Sequence, residues 1–524
     1  LEIGELVARA NYQLKGKFNT EVTAKKVNYQ VAIVRRILFL LLFIIGLSGC
    51  TDKSSEKVIR FGLYNVPVTL DPRYATDAIS SRLNRLLYQR LVDFDQQYLP
   101  KPSLANWEQL SLNHYRFTLK EKSYFHHGKR LTMSDVKATY ENILKSEKIS
   151  PHRNSIKHIK KIVQIDENTI DFILSRNDPL FPSFLIIGIL PKDLLDKKHH
   201  FNTQPVGSGK FTFVDWPYDN LLKLKRLKDD QLFEFIGIKD PTVRVLKLLH
   251  GEIDLLQNNL AAEQVDYLKN QQELKFQEVG GSNYSYIGFN LKDQVTSQLP
   301  LRQAIAHAID RDSIIRFVLG KAAVKATGFF PVQHWAANKA ITPLDYDPEK
   351  AKKILNNMGY SVDNPLKLVF KTSSNPFSIR KATIIQEQLR QVGIEMEIRS
   401  YDWGTFYGDI KKGNFQMYSL EWVGIKSPDI FKYVFHSQSV PPKGANRGRL
   451  IDKQLDNLIE SADSAENREA MKSGYAKVQD MIHNILPYVS LWYMANISFY
   501  RDNIRGYKLY GDGIYDGLNY VEKN

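Results

Sequence analysis

Two hydrophobic periods take turns along this chain. Short runs that alternate apolar with polar residues mark half-buried strands, and stretches with an apolar residue every third or fourth position mark amphipathic helices. An apolar strand is expected over Lys57–Leu63 and a helix over Ile79–Leu91. A strand follows at His114–Lys120, and strands Lys157–Ile165 and Thr169–Leu174 read as a hairpin across Asp166-Glu167-Asn168. A second strand pair, Phe211–Val214 and Leu221–Arg226, precedes a helix from Asp240-Pro241 through Leu249. Its aspartate is a good cap, and its proline suits the first helical position. In the last third, strand Leu366–Lys371, helix Ile379–Val392 and strand Ile394–Ser400 make a β-α-β unit, which favours parallel pairing through a right-handed crossover. Helix Trp403–Lys411 and strand Phe415–Glu421 continue the alternation, and strands Tyr488–Tyr493 and Ile497–Tyr500 are expected to return to the first domain. The fold class this predicts is α/β.

One apolar run breaks both periods. LFLLLFIIGLSGC, Leu38–Cys50, follows Arg35 and Arg36 and ends on small residues before Cys50, the single cysteine of the chain. Basic, apolar and small-residue regions in that order make a secretory signal peptide. The run is too short for a mature membrane span, which takes about 20 residues. Leu47-Ser48-Gly49-Cys50 resembles the bacterial lipobox, whose cysteine is lipidated and becomes the mature N-terminus. An ordinary signal peptide cut nearby and an uncleaved anchor are the alternatives. Leu1–Gln30 is mixed and polar, and the true start is expected near Val31, so residues 1–49 are set aside from the fold. A diacylated, N-acylated terminus suffices for stable anchoring. It would hold the body in the periplasm or at the outer face of the cell membrane.

The remaining 475 of the 524 residues exceed one core and imply two or three domains. The 43% hydrophobic and 25% charged content of the whole chain is that of a globular protein. Net charge is +15, of which residues 1–49 carry +4 (seven Lys/Arg against three Asp/Glu), leaving +11 for the body. That charge is scattered in short clusters such as Lys160-Lys161 and Lys411-Lys412. A nucleic-acid binder concentrates its charge on one face, so the expected setting is a solvated surface near anionic lipid headgroups, with no nucleic-acid partner. One cysteine excludes an intrachain disulfide and a cysteine zinc site. The chain has no Gly-x-Ser-x-Gly, no His-Glu-x-x-His and no cysteine nucleophile, and Asp229-Asp230 lies in a polar turn. An enzyme is therefore not expected, nor a cofactor. His126 and His127 have no third histidine or i, i+4 carboxylate beside them, so no metal site is expected there.

Several motifs, in order, carry a resemblance. LDPRYATDAISSRLNRLLYQRLVDFD (Leu70–Asp95) comes first, then Phe125-His126-His127-Gly128 with Leu131-Thr132 and Asp135-Val136 opening a helix. Pro205-Val206-Gly207-Ser208-Gly209, Gly251-Glu252-Ile253-Asp254 and Pro300-Leu301-Arg302-Gln303-Ala304-Ile305-Ala306-His307-Ala308-Ile309-Asp310-Arg311 follow. The ordered set, spanning about Val58 to Tyr520, resembles the family 5 extracellular solute-binding proteins, the oligopeptide, dipeptide and nickel binders of ABC importers. The resemblance implies a type II periplasmic-binding fold, two lobes with a hinge plus an inserted α+β domain. The expected divisions are 50–77, 204–283 and 491–524 for lobe I, 78–203 for the inserted domain and 284–490 for lobe II, with hinge strands near 281–290 and 488–498.

The same resemblance implies a cleft between strands Tyr64-Asn65-Val66-Pro67-Val68 and Leu420-Glu421-Trp422-Val423-Gly424. A peptide backbone could pair with such strands. Trp422 could be a stacking wall or a core tryptophan. Peptide binders of the family place an aspartate three residues after this tryptophan to hold the ligand's ammonium group; here Ile425 stands there. Glu421 or Asp429 could substitute, and Arg447 could hold a carboxylate or phosphate or lie on the surface. The function expected is a lipid-anchored, monomeric binding protein that delivers a peptide-like solute to an ABC permease. A non-peptide or metal-chelate binder of the same fold, or a peptide sensor or chaperone uncoupled from import, are the alternatives.

Overall fold

The computed structural model describes residues 58–320 and 322–524. The signal peptide and the lipobox with Cys50 lie outside the described residues. The elements that build the site are, in chain order, β1 Ile59–Leu63, α1 Ala78–Leu87, β2 Ala105–Ser111, β3 His114–Leu119, α2 Met133–Lys145, β4 Ile159–Gln164 and β5 Thr169–Leu174. Then come β6 Phe211–Tyr218, β7 Leu221–Arg226, β8 Leu232–Gly237, α3 Pro241–Leu249, β9 Leu255–Gln257, β10 Leu274–Phe289 and α4 Leu299–Ala308. The last third holds β11 Leu366–Ser373, α5 Pro376–Arg390, β12 Ile394–Tyr401, α6 Trp403–Lys412, β13 Met417–Trp422, α7 Ile430–Phe435, α8 Lys453–Asp463, α9 Arg468–Ile485 and β14 Tyr488–Arg501.

One sheet runs through both lobes in the order β12-β11-β13-β10-β14-β9-β1-β8-β7-β6. On the lobe I side β1 pairs parallel to β8 and β9. On the lobe II side β11 and β12 pair in parallel along eight residues, as the β-α-β pattern requires. The two long antiparallel strands β10 and β14 join the halves. The C-terminal strand is one continuous element, not the two short ones that the sequence pattern predicts. Its lobe II half pairs with β10 residues 283–288 and its lobe I half with 274–279.

Their register breaks between Val279 and Asn283. There Gly281 comes so close to β14 that a Cβ would sit 2.0 Å from the Met494 carbonyl oxygen. Only glycine fits, and the break leaves the joint between lobes without continuous ladder bonds.

The inserted layer is a separate four-stranded antiparallel sheet, β2-β3-β5-β4, with the predicted β4–β5 hairpin. Helix α2 covers it, its first turn held by the Asp135 carboxylate, which accepts bonds from Thr132 N and Oγ1. Phe117, Val136, Tyr140, Phe172 and Phe181 form its core. Helix α1 packs elsewhere: Ile79, Leu83, Leu86 and Leu87 lie in the lobe I core with Phe61, Phe233 and Phe235. We therefore propose that the insertion begins after α1, near Leu91, and closes near Ile189, inside the 78–203 expected from the sequence. Lobe II has a core on each face of its sheet. Leu301, Ile305, Leu389 and Trp492 fill one, and Tyr286, Tyr418, Phe431 and Tyr475 the other.

Candidate ligand-binding cleft

The lobes meet across the β10–β14 joint. Lys426 of lobe II bonds Asp512 of the C-terminal return at 2.5 Å, and Arg380 pairs with Glu263 of lobe I. Trp335 N donates to Gln97 O of the inserted layer at 3.2 Å, and the His334 and Tyr98 rings stack 5.3 Å apart. These contacts tie together the two sides of the joint.

On the lobe I side the structure corrects one expectation. β1 ends at Leu63, and Tyr64–Val68 continue as irregular chain, not as a strand. Ser80 Oγ of α1 ties the segment down, accepting from Val68 N at 2.8 Å and Thr69 N at 3.1 Å. Tyr64 and Asn65 are exposed, Val66 packs on Gly237, Pro67 is buried and Val68 points to solvent. The crowding around Tyr64, with Tyr515 adding to it, pushes its hydroxyl pKa up.

On the lobe II side β13 ends at Trp422, and Val423 and Gly424 lie beyond it, Gly424 at φ +71°. β11 meets β13 only at Phe370–Met417 and Lys371–Tyr418. The outer edge from Ser419 to Gly424 therefore has no strand beside it. Trp422 is half-buried near Phe329 and Tyr433. The Arg447 guanidinium lies 4.5 Å from its ring centre, a cation–π contact. Arg447 is buried, and its terminal nitrogens donate to the hydroxyls of Tyr286 at 3.0 Å and Tyr407 at 3.2 Å. That arrangement fixes the plane of Trp422 from behind.

The three acidic or apolar positions discussed above separate cleanly. Ile425 is buried in the lobe II core. Asp429 stands at the start of α7, where burial, with Asp463 and Asp178 adding repulsion, pushes its pKa up to about 7. It belongs to the seam with the inserted layer. Glu421 is exposed in the cleft mouth, yet surrounding protein raises its pKa, with Lys381, Asn283 and Arg82 pulling the other way. Of Glu421 and Asp429, Glu421 is the one that meets Lys381, Asn283 and Arg82.

Arg82, Lys381 and Asn283 were missed by the sequence reading. Arg82 carried a signal: it is a charge within the apolar stripe Ile79, Leu83, Leu86 of a helix. Burial lowers the Lys381 pKa from its ordinary value, with Glu421 opposing. Among the described residues no three His, Cys, Asp or Glu side chains converge as a metal site. His126 bonds the Gly209 carbonyl at 3.1 Å, and His127 approaches Asp193 at 3.6 Å. A cavity of about 40 Å³ inside lobe II, lined by Tyr284, Phe329, Phe431 and Tyr488, is sized for a few waters, not for a solute.

Comparison with known proteins agrees with this geometry. The family model for bacterial extracellular solute-binding proteins, family 5, matches residues 100–441. The oligopeptide-binding protein AppA of Bacillus subtilis is 26% identical over 88% of this chain and 90% of its own length. The solved structure of the periplasmic binding protein DppA from Helicobacter pylori, in complex with peptide STSA, superposes with a TM-score of 0.76 at 26% identity, covering 90% of this chain and 99% of that one. The crystal structure of NikZ from Campylobacter jejuni, in complex with Ni(L-His), has a TM-score of 0.78 at 23% identity over 89% of this chain and 100% of that one, a likeness of fold. The large sheet with its shared strands and inserted layer is thus the type II periplasmic-binding fold. Members of the family are substrate-binding proteins of transporters, not enzymes. With the family model spanning well over half of its length, the chain belongs to the bacterial extracellular solute-binding proteins of family 5.

Proposed function

We propose that the protein captures a peptide-like solute between its lobes and delivers it to an ABC permease, tethered to the membrane through lipidated Cys50. The open backbone edge of β13 from Ser419 to Gly424 carries this reading. An extended ligand can add to such an edge as a strand, drawing affinity from main-chain bonds that are indifferent to its side chains. Trp422, held by Arg447, walls the edge, and Tyr64-Asn65-Val66-Pro67-Val68 closes over it from lobe I. Glu421 takes the ligand's ammonium group in place of the aspartate that Ile425 displaces, a charge-assisted bond of the stronger kind. Asp429 contributes to lobe closure and not to the ligand. Peptide-binding relatives support the solute class.

The test is native mass spectrometry of the body after residue 50, purified without denaturation, followed by thermal shifts against short peptides. Co-purified peptide, or shifts lost on N-acetylation and in Glu421→Gln, are expected. Shifts indifferent to acetylation would remove Glu421 from the role, and no shift with any peptide would overturn the solute class. For the anchor, the expected result is labelling by a palmitate analogue that Cys50→Ser abolishes.

A further inference from the structure

Six arginines among the described residues are more than nine-tenths buried: Arg82, Arg226, Arg244, Arg302, Arg311 and Arg447. Burying a guanidinium without partners is costly, and five of the six have at least two. Arg226 pairs with Asp229 at 2.6 Å, and Arg244, Arg302 and Arg311 donate to backbone carbonyls. Arg447 donates to two tyrosines. Arg82 is different. Among the described residues no carboxylate lies within ion-pair reach of it and no carbonyl accepts from it; its polar partner is the Tyr515 side chain, which it hydrogen-bonds, with the ring centre 5.5 Å away. The C-terminal loop makes room for it: Gly513 has φ +70°, and a Cβ there would sit 2.7 Å from Arg82 Nη2.

Across the joint, lobe II turns further unsatisfied polar atoms to the same region. Ser285 stands directly opposite Glu421 on one side and opposite Trp492 on the other. Directly paired residues of antiparallel strands share a face. Ser285 is 3% exposed and Trp492 fully buried, yet Ser285 Oγ and Trp492 Nε1 have no hydrogen-bond partner. Lys381 reaches over the Trp492 ring, 5.9 Å from its centre, and among the described residues has no carboxylate within ion-pair reach. The group holds two cations, the exposed Glu421 carboxylate and two buried orphan polar atoms, and is short of acceptors.

We propose that Arg82 is an anion anchor of the cleft, taking a carboxylate of the solute in its planar fork from the lobe I side while Ser285 and Lys381 meet the same ligand from lobe II. This deepens the peptide reading above and rests on it for the ligand's backbone. Two consequences follow for the solute class. The anchor demands a free carboxylate, so an amidated ligand is rejected because the guanidinium would be left buried with no carboxylate to pair with. Two cations against one carboxylate also disfavour a cationic solute, so neutral and acidic peptides bind ahead of basic ones.

The experiment compares tri-alanine as free acid and as C-terminal amide, with Asp-Ala-Ala and Lys-Ala-Lys as charge variants, by calorimetry on the wild-type body and on Arg82→Gln and Arg82→Lys. In the wild type the free acid is expected to bind at least about ten-fold tighter than the amide. Arg82→Gln is expected to reduce that ratio to about one, and Arg82→Lys, which keeps the charge but not the fork, to retain part of it. Because loss of a buried arginine can also unfold lobe I, the thermal midpoint of each unliganded variant is read first, and Ser285→Val, which leaves Arg82 in place, is expected to weaken the free acid alone. Acid and amide binding equally to the wild type, or a ratio unchanged in Arg82→Gln, would overturn the anchor and leave the peptide reading intact. If no peptide binds, that reading fails. Succinate and glutarate then decide the anchor: a thermal shift that Arg82→Gln abolishes upholds it, and no shift overturns it.

Discussion

Two seams close the cleft, and they are built on opposite electrostatic plans. Where lobe II meets the C-terminal return, opposite charges are matched: Lys426 on Asp512 at 2.5 Å, with both side chains 16% exposed, and next to it Arg85 clamped between Asp93 and Asp516. The Lys426 and Arg85 charges outweigh burial and hold the Asp512 carboxyl below its usual range. Where lobe II meets the inserted layer, like charges gather. Asp429 and Asp463 are both pushed up by burial, Tyr475 donates to Asp463 at 2.7 Å, and Asp178 from the inserted layer adds its charge to theirs. The first seam gains from ionisation and the second loses by it. A protein that must open to release its solute needs at least one contact that is easily undone, and the comparison assigns that part to the inserted layer.

The largest effect is expected from breaking the matched seam. Lys426→Ala leaves Asp512 buried beside the cleft without its nearest cation. Uncompensated buried charges cost about 3–5 kcal/mol, and the partial exposure here brings the expectation to about 2–3 kcal/mol. Urea unfolding measures it, and small-angle scattering should show the unliganded protein shifted toward an open form. A loss below about 1 kcal/mol with unchanged scattering would mean that the seam does not hold the lobes.

The like-charge seam should show itself in pH. A carboxyl whose pKa is raised in the folded state binds its proton more tightly there than in the unfolded chain. The stability that protonated Asp429 supports is therefore complete below its ordinary value near 3.8 and is lost as pH rises through about 7. Asp429→Asn removes that slope. It is expected to gain about 1–2 kcal/mol on the wild type at pH 8 and little at pH 5. Parallel stability curves for the two proteins between pH 5 and 8 would refute this.

His334 works the other way in the same seam. Ala336 N donates to its Nδ1 at 3.1 Å, so its Nε2 carries the hydrogen and donates to the Lys426 carbonyl at 3.1 Å. A second proton has no acceptor, and burial against Phe330 and Tyr98 lowers the pKa to about 4. A histidine depressed in the folded state lends stability that is complete above about 6.5 and is lost as pH falls toward 4. His334→Gln should flatten the acid limb by about 1 kcal/mol, read as the difference between urea midpoints at pH 7 and 5. Together with Asp429 it confines the best closure of this seam to mildly acidic pH.

Much of this architecture was legible in the residues. The β4–β5 hairpin, the parallel β11-α5-β12 unit and the capped helices at Thr132 and Asp240 formed as local pattern required, because their signals lie within one or two turns of chain. What was not legible depends on distant partners. Tyr64–Val68 was expected as a strand by family resemblance, but no neighbouring strand reaches it, and Ser80 holds it as a loop. The Tyr488–Arg501 strand looked broken at Ala495, and pairing with β10 carries it through both lobes. α1 seemed part of the insertion by position and packs instead on β1 and β8 through Ile79 and Leu83. The Trp422 motif was visible by resemblance, while the lack of a carboxylate beside Arg82 is a fact about what fails to surround it. Sequence has no sign for a missing partner.

The smallest effect provides the calibration for the other three. Lys129 bonds Asp193 at 2.6 Å, within 0.1 Å of the matched seam's 2.5 Å, but its side chain is 59% exposed and it lies outside both seams. If distance alone decided what an ion pair is worth, Lys129→Ala would cost as much as Lys426→Ala. Water screens the exposed pair and leaves little to lose, so the expected change is within about 0.5 kcal/mol and shrinks further in 0.5 M salt. Equal losses in the two variants would mean that burial does not set the strength of the matched seam, and the contrast between the seams would then have to rest on charge sign alone.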